Sequence, residues 1–259
     1  MYFLGIDIGS SSSKVVIIDE NKNILARKAR NLGTGTNGPE MVIAEALEEA
    51  GITEDQIVYT VATGYGRVTH TKADKQITEI SCHGKGVAHL IPGARTIIDI
   101  GGQDAKVIKL TAQGNVDNFV MNEKCAAGTG RFLEVMARIL NCSLDELSDL
   151  SMQSTEEVEI SNTCTVFAES EVISQLAQGT AREDVAKGAD NSITSRVAGL
   201  ARRIGISPVV VMSGGVAMNE SVVRSMEKHI GYDITVAPHP QTVGALGAAL
   251  FALESFNKK

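Results

Sequence analysis

The chain has 259 residues, 43% hydrophobic and 21% charged, values of a folded globular protein rather than a disordered one. Lys and Arg number 24 against 31 Asp and Glu, a net charge of −7, and aromatics are only 4% with no Trp, which argues against a nucleic-acid binder. The length suits one large domain or two of ordinary size.

The chain opens on LGIDIGSSSSKVVIID (4–19), read as a strand, a small-residue turn and a second strand; the turn NKN (21–23) starts a third. A helix is predicted over 39–50, with Met41, Ala44 and Leu47 at helical spacing, Pro39 in its first turn and Gly51 at its C-terminal cap. IVYTVATGYGR (57–67) reads as a short strand and a Gly-rich turn, and 72–91 as a helix interrupted near Gly84 and Gly86. TIIDIGGQDAKVIKL (96–110) is again strand, turn and strand; QGN (113–115) leads to a strand at 116–121. A helix follows over 128–140, with Phe132, Leu133, Met136, Ile139 and Leu140 on one face, and another helical stretch follows Cys164. Residues 184–204 are amphipathic through Ile193, Val197, Leu200 and Ile204. A strand at 208–215, a helix from Asn219 or Glu220, a strand at 234–237 and a helix over 242–256 complete an α/β alternation.

Two of these segments echo each other. With Asp7 laid on Asp99, an offset of 92, Gly9 falls on Gly101, Lys14 on Lys106, Val15 on Val107 and Val16 on Ile108 without a gap. A β-meander repeated this way predicts two similarly folded halves. Their expected bounds are 1–93 and 94–259, the C-terminal helix packing back on the first half.

Small-residue turns let backbone N–H groups approach phosphate oxygens. Ser10, Ser11, Ser12 and Ser13 add hydroxyl donors, and Lys14 adds a positive charge. Asp7 and Asp99 end strands, where a carboxylate can hold Mg²⁺ through its waters. One such turn is weak; two facing copies would close on a triphosphate from both sides. VVVMSGGVAMNESVV (209–223) ends a strand at Ser213, Gly214 and Gly215, where an adenine and ribose could lie flat on the backbone.

This order of motifs resembles the superfamily of acetate and sugar kinases, 70-kDa heat-shock chaperones and actin. The resemblance implies an α/β fold of two ribonuclease-H-like halves, the actin-like ATPase fold, with ATP or ADP and Mg²⁺ in an interdomain cleft. IDIGSSSSK resembles the first phosphate loop, IDIGGQD the second and VVVMSGGVAMN the adenosine motif; VGALGAAL resembles the small-residue helix beside the hinge. The expected nucleotide contacts are Ser10 to Lys14, Gly101, Gly102, Gln103, Gly128, Thr129, Gly130, Gly214, Gly215, Asn219 and Gln241. The second loop reads GGQD where the superfamily often has Thr or Ser after the glycines. Gln103 or Asp104 is expected to orient an attacking water, and the sequence leaves open which.

Cys125 stands just before one predicted helix and Cys164 just before another. Helix N-termini favour thiolate and suit an anionic iron–sulfur cluster. One chain offers two such thiols where a 4Fe–4S cluster usually takes four, so a symmetric dimer would complete the set. CAAGTGRFLEVMAR and CTVFAESEVIS resemble the ATP-dependent activators of 2-hydroxyacyl-CoA dehydratases and the related ATP-binding subunits of benzoyl-CoA reductase. The resemblance implies a homodimer with one shared 4Fe–4S cluster on Cys125 and Cys164. It also implies an electron from ferredoxin or flavodoxin, and ATP hydrolysis that drives it onto a partner iron–sulfur dehydratase or reductase. Cys82 and Cys142 are read as structural. Two other readings stand beside this one: a small-molecule kinase of the same fold, and a nucleotide-switched interaction protein without redox chemistry. No signal-peptide pattern opens the chain, and VGALGAALFAL is short of the ~20 residues a membrane span needs. The expected location is therefore cytoplasmic.

Overall fold

The duplicated strand–turn–strand segments sit at the centres of two sheets with the same strand order. A computed structural model describes residues 1–258. Its first series is β1 (Tyr2–Ile8), β2 (Ser13–Asp19), β3 (Ile24–Arg30), α1 (Gly38–Ala50), β4 (Ile57–Thr63), β5 (Lys75–Gln76) and α2 (Glu79–Leu90). The second begins β6 (Thr96–Ile100), β7 (Ala105–Leu110), β8 (Val116–Asn122), α3 (Gly130–Ile139), α4 (Leu144–Met152) and α5 (Thr165–Ala177). It ends α6 (Arg182–Ile204), β9 (Val210–Ser213), α7 (Glu220–Ile230) and β10 (Ile234–Val236); α8 (Val243–Phe256) closes the chain.

One sheet has the order β3-β2-β1-β4-β5, the other β10-β9-β6-β7-β8. β1 is antiparallel to β2 and parallel to β4; β6 is antiparallel to β7 and parallel to β9. The register repeats as well. Asp7 lies opposite Lys14 and Thr63, and Asp99 opposite Lys106 and Ser213. The chain divides into two units. The first comprises Met1–Ala94, Leu110–Asp117 and the residues from Ala237 on; the second comprises Arg95–Lys109 and Asn118–Val236.

In the first unit the central strands are apolar on both faces because both are covered. Leu4, Ile6, Val15 and Ile17 face Val42 and Ala46 of α1, whereas Phe3, Val16 and Ile18 face α8. α1 carries Pro39 in its first turn and ends on Gly51 at φ 65°, as expected. Its buried face, however, runs through Val42 and Ala46, while Met41 is exposed. α2 is continuous through Gly84 and Gly86, where an interruption was expected. Those glycines serve packing instead: a Cβ on Gly86 would lie 2.3 Å from the Val243 carbonyl oxygen, and one on Gly84 would lie 2.7 Å from Val116 Cγ2.

The α2–α8 seam is tighter still at Gly247, where a Cβ would lie 1.8 Å from the Cys82 carbonyl oxygen. Backbone cannot yield as a side-chain tip can. Gly247→Ala is therefore expected to cost about 3 kcal/mol, at the upper end of overpacking penalties, and to lower the thermal midpoint by several degrees. The same change at Gly199, where nothing stands within 4 Å, is expected to be harmless or slightly stabilising, since it sits inside α6. Equal melting of the two variants would contradict this packing.

The second unit has one core, formed by Ile98, Ile100 and Val107 of the sheet with Phe132, Met136, Ile193, Val197 and Met226 of the helices. α4 was not expected from the sequence, although its capping box is written plainly. The Glu146 amide donates to Ser143 Oγ (3.2 Å) and the Ser143 amide to Glu146 Oε2 (2.7 Å). No helix among the described residues is long and apolar enough to cross a membrane.

Candidate nucleotide site and cysteine pair

The turn between β1 and β2 is closed by a hydrogen bond from the Gly9 amide to the Ser12 carbonyl (2.9 Å), and the Gly9 carbonyl accepts from the Thr34 amide (2.9 Å). Ser11 is exposed, and Ser10 and Ser12 are half-buried. Ser13 departs from the expected row of donors: it is fully buried, and its hydroxyl donates to the Leu32 carbonyl (2.7 Å). The reason is β2's alternation, which turns residue 13 inward. Lys14 Nζ lies 3.4 Å from Asp7 Oδ2, and it would lie 3.4 Å from a Cβ on Gly9, so the ammonium sits over the turn.

The turn between β6 and β7 repeats this closure, with the Gly101 amide donating to the Asp104 carbonyl (2.9 Å). Its side chains differ. Lys106 is buried and forms ion pairs with Asp99 Oδ1 (3.1 Å) and Asp104 Oδ2 (2.8 Å). Ser213 Oγ donates to Asp99 Oδ2 (2.7 Å). Asp104 is thus folded back on its own turn, and Gln103 is exposed at the tip.

Each parallel neighbour of these strands ends in the same way. β4 runs into Gly64 (φ 87°, ψ 179°) and a 3₁₀ turn; β9 runs into Gly214 (φ 86°, ψ 173°) and a 3₁₀ turn. A Cβ on Gly64 would lie 2.5 Å from the Ile8 carbonyl oxygen, and one on Gly214 would lie 2.3 Å from that of Ile100. Positive φ and close backbone approach both demand glycine here. Gly215 is exposed beside Gly214. Asn219 is the N-cap of α7, its Oδ1 accepting from the Val222 amide (2.9 Å). Gln241 is half-buried in the 3₁₀ turn before α8.

The two cysteines of interest stand differently from one another. Cys164 is the N-cap residue of α5, as expected. Cys125 is not at a helix head: α3 starts at Gly130 with Thr129 as N-cap, and a turn over 126–129 intervenes. The first amides of α3 are already engaged. Gly130 N–H donates to the Gly101 carbonyl and Arg131 N–H to the Gly102 carbonyl, both at 2.8 Å. Helix charge therefore serves the second turn, not Cys125. The Cys125 loop is held from the sheet instead, by Asn122 Nδ2 donating to the carbonyls of Cys125 (2.8 Å) and Ala127 (2.9 Å). Arg196 of α6 lies between the two cysteine loops. Its Nη1 donates to the Asn162 carbonyl (2.8 Å), and its Cδ lies 3.0 Å from where a Gly128 Cβ would be.

Both thiols are partly exposed and free of disulfides. Cys82 contrasts with them: burial in α2 pushes its thiol up to about 12, so it stays protonated and inert. Burial also raises the Cys142 thiol, which donates to the Ala137 carbonyl (3.6 Å). No group of three or more His, Cys, Asp or Glu gathers as a metal cage among the described residues.

Residues 4–252 match the BadF/BadG/BcrA/BcrD ATPase family. The chain belongs to that family. It is 56% identical, over the full length of both chains, to the activator of lactoyl-CoA dehydratase of Anaerotignum propionicum. The (R)-2-hydroxyglutaryl-CoA dehydratase activating ATPase of Acidaminococcus fermentans is 50% identical, over 100% of this chain and 99% of its own. Among solved structures, the activator of 2-hydroxyisocaproyl-CoA dehydratase from Clostridium difficile with bound ADPNP superimposes with a TM-score of 0.96 at 51% identity. That match covers 100% of this chain and 96% of the other. A ROK-family glucokinase from Streptomyces griseus, at 13% identity and TM-score 0.60 over 98% of this chain and 100% of its own, shares the fold alone. The fold is that of the actin-like ATPases, as the duplicated turns implied.

Sequence reasoning missed Thr63 and Arg196, and it missed the pairing of Ser213 with Asp99. Thr63 and Ser213 stand opposite the two aspartates only through parallel pairing with distant strands. Arg196 lies in a stretch read only through its apolar face, Ile193, Val197, Leu200 and Ile204.

Proposed function

We propose that this family member is an ATP-hydrolysing activator that passes one electron at low potential to a partner iron–sulfur enzyme, a 2-hydroxyacyl-CoA dehydratase or a related reductase. It would work as a homodimer holding one 4Fe–4S cluster, with ferredoxin or flavodoxin as donor. The observation that carries this reading is the pair of hydrogen bonds from Gly130 and Arg131 to the carbonyls of Gly101 and Gly102. They join a phosphate-loop-like turn to the segment that leads back to Cys125. The relatives named as dehydratase activators support the partner class.

In this reading the amides and hydroxyls of Ser10, Ser11 and Ser12, with Lys14, take phosphate oxygens at the first turn. At the second turn the Gly102 amide takes them, since that of Gly101 is held by the Asp104 carbonyl. Gly215, exposed after the packed Gly214, leaves the backbone bare for the adenosine, and Gln241 is a further polar group proposed to contact the nucleotide. Asp7, 6% exposed at a strand end with one cation at 3.4 Å, fits a carboxylate that holds hydrated Mg²⁺. Gln103 orients the attacking water, because Asp104 is pinned by Lys106. Cys125 and Cys164 fit as thiolate ligands, being free and partly exposed on loops that contact a common arginine. When bound, the cluster supplies one-electron chemistry. Hydrolysis removes the γ-phosphate contact at Gly102, and the turn passes the change to α3. Only a difference in contact between the ATP and ADP states shifts such an equilibrium.

The test is reductive activation. Anaerobically purified protein, reduced and mixed with ATP, is expected to switch on an oxidised-inactive dehydratase of the partner class, while ADP or a non-hydrolysable analogue is not. Equal activation with and without ATP would separate the electron from the nucleotide and defeat the proposal. Phosphorylation of a small-molecule acceptor would return the chain to the kinases.

A further inference from the structure

The segment that leads into Cys164 is laced to α6. Ser192 Oγ donates to the Ser161 carbonyl (2.9 Å), Asn162 Nδ2 to Ser195 Oγ (3.3 Å), and Arg196 Nη1 to the Asn162 carbonyl (2.8 Å). The same Nη1 donates to the Thr163 carbonyl (3.4 Å), one residue before the cysteine. Residues 192, 195 and 196 share one face of the helix, which sets this line of contact. The Cys125 segment reaches Arg196 as well. Gly128, buried and at φ 91°, has the arginine stem against it: a Cβ there would lie 3.0 Å from Cδ, 3.4 Å from Cγ and 3.6 Å from Nε. Arg196 thus touches both segments, within one residue of Cys164 and three of Cys125.

No carboxylate takes up its charge. Arg30, Arg131 and Arg224 pair with Glu45, Glu134 and Glu220. Arg196 is half-buried, and its partners among the described residues are main-chain carbonyls. Carbonyls satisfy its N–H donors but leave the positive charge uncompensated, and a guanidinium does not lose its proton in a protein. The other charges nearby do not replace it. Glu123 and Lys124, next to Cys125, are both exposed and opposite in sign, and Glu171 Oε2 accepts from the Ser161 amide (2.6 Å).

We propose that Arg196 is the fixed counter-charge of the cysteine pair: a positioning residue that ties both segments to α6 and sets one uncompensated positive charge per chain beside the thiolates. The inference rests on the cluster reading above. Electron uptake by an anionic iron–sulfur cluster adds negative charge. A neighbouring cation stabilises the reduced form more than the oxidised one, so it raises the midpoint potential. In a symmetric dimer two such charges serve one cluster.

Arg196→Gln removes the charge and keeps a donor for the carbonyls, whereas Arg196→Lys keeps the charge and loses the planar fork. The readouts are iron content and the midpoint potential, followed by electron paramagnetic resonance in a reductive titration without nucleotide. Arg196→Gln is expected to shift the midpoint to a more negative potential, and Arg196→Lys to stay close to wild type. A merely structural contact would move both alike. Loss of iron from Arg196→Gln alone would support the same role, because the charge would then be needed to keep an anionic cluster bound. A midpoint in Arg196→Gln at or above the wild-type value, equal shifts in both variants, or loss of iron from Arg196→Lys would overturn the proposal. Wild-type protein without iron would instead overturn the cluster reading itself.

Discussion

Alanine at either Cys125 or Cys164 is expected to strip the iron from anaerobically purified protein while leaving ATP binding intact. A four-iron cluster usually takes four thiolates, and the chain offers two free cysteines that are both partly exposed and held on loops in contact with one arginine. Two copies related by a two-fold axis make up the number. Wild-type protein should therefore carry about four iron atoms per dimer, and each single variant close to none. Cys82→Ala and Cys142→Ala should keep their iron. Cys82 is fully buried in α2 with its thiol pushed up to about 12, and Cys142 is tied to the Ala137 carbonyl. Nucleotide affinity should survive in all four, since no cysteine lies in the glycine turns. An iron-replete monomer, or a Cys164→Ala protein with full iron, would return both thiols to a packing role.

Gln103→Ala is expected to lower kcat for ATP hydrolysis by about 10²-fold and to leave ADP affinity nearly unchanged. A residue that orients water acts mainly in the transition state, so turnover falls and ground-state binding does not. Asp104→Ala should show the opposite pattern. It removes one of the carboxylates that hold Lys106, which loosens the turn and weakens binding and stability together. Steady-state hydrolysis and ADP titration on the two variants distinguish these roles. A collapse of affinity in Gln103→Ala would make it a binding residue.

How much of this was legible in the sequence differs between backbone and side chains. The duplication was plain because Asp7, Gly9 and Lys14 repeat as Asp99, Gly101 and Lys106, and a hairpin register brings the repeated charges face to face. The helices after Cys164 and before Gly51 followed from their caps and period. Glycine was harder to read. Gly84 and Gly86 resemble helix breakers, but they lie within an unbroken helix because other segments pass against them. Only the tertiary partner decides between these meanings, and it comes from far along the chain. The face of α1 was misplaced by one residue because Met41 looked apolar enough to be buried, whereas Val42 is the residue that meets the sheet. Ser13 read as a donor because it stands in a run of four serines, and strand alternation alone turns it inward. The different fates of Asp7 and Asp99 were invisible, since Thr63 and Ser213 reach them only through parallel pairing.

The link between the second turn and α3 is made wholly of main chain, two amides meeting two carbonyls. Side-chain replacement at residues 102 and 131 therefore leaves its atoms in place, provided that proline is avoided and the glycine conformation is kept. Positions 101 and 130 are tight: a Cβ on Gly101 would stand 2.6 Å from Asp104 Oδ1, and one on Gly130 3.1 Å from the Gly101 oxygen. Under the proposed function, the functional groups around the cysteines can be exchanged to suit different partners while this main-chain link between the second turn and α3 is kept.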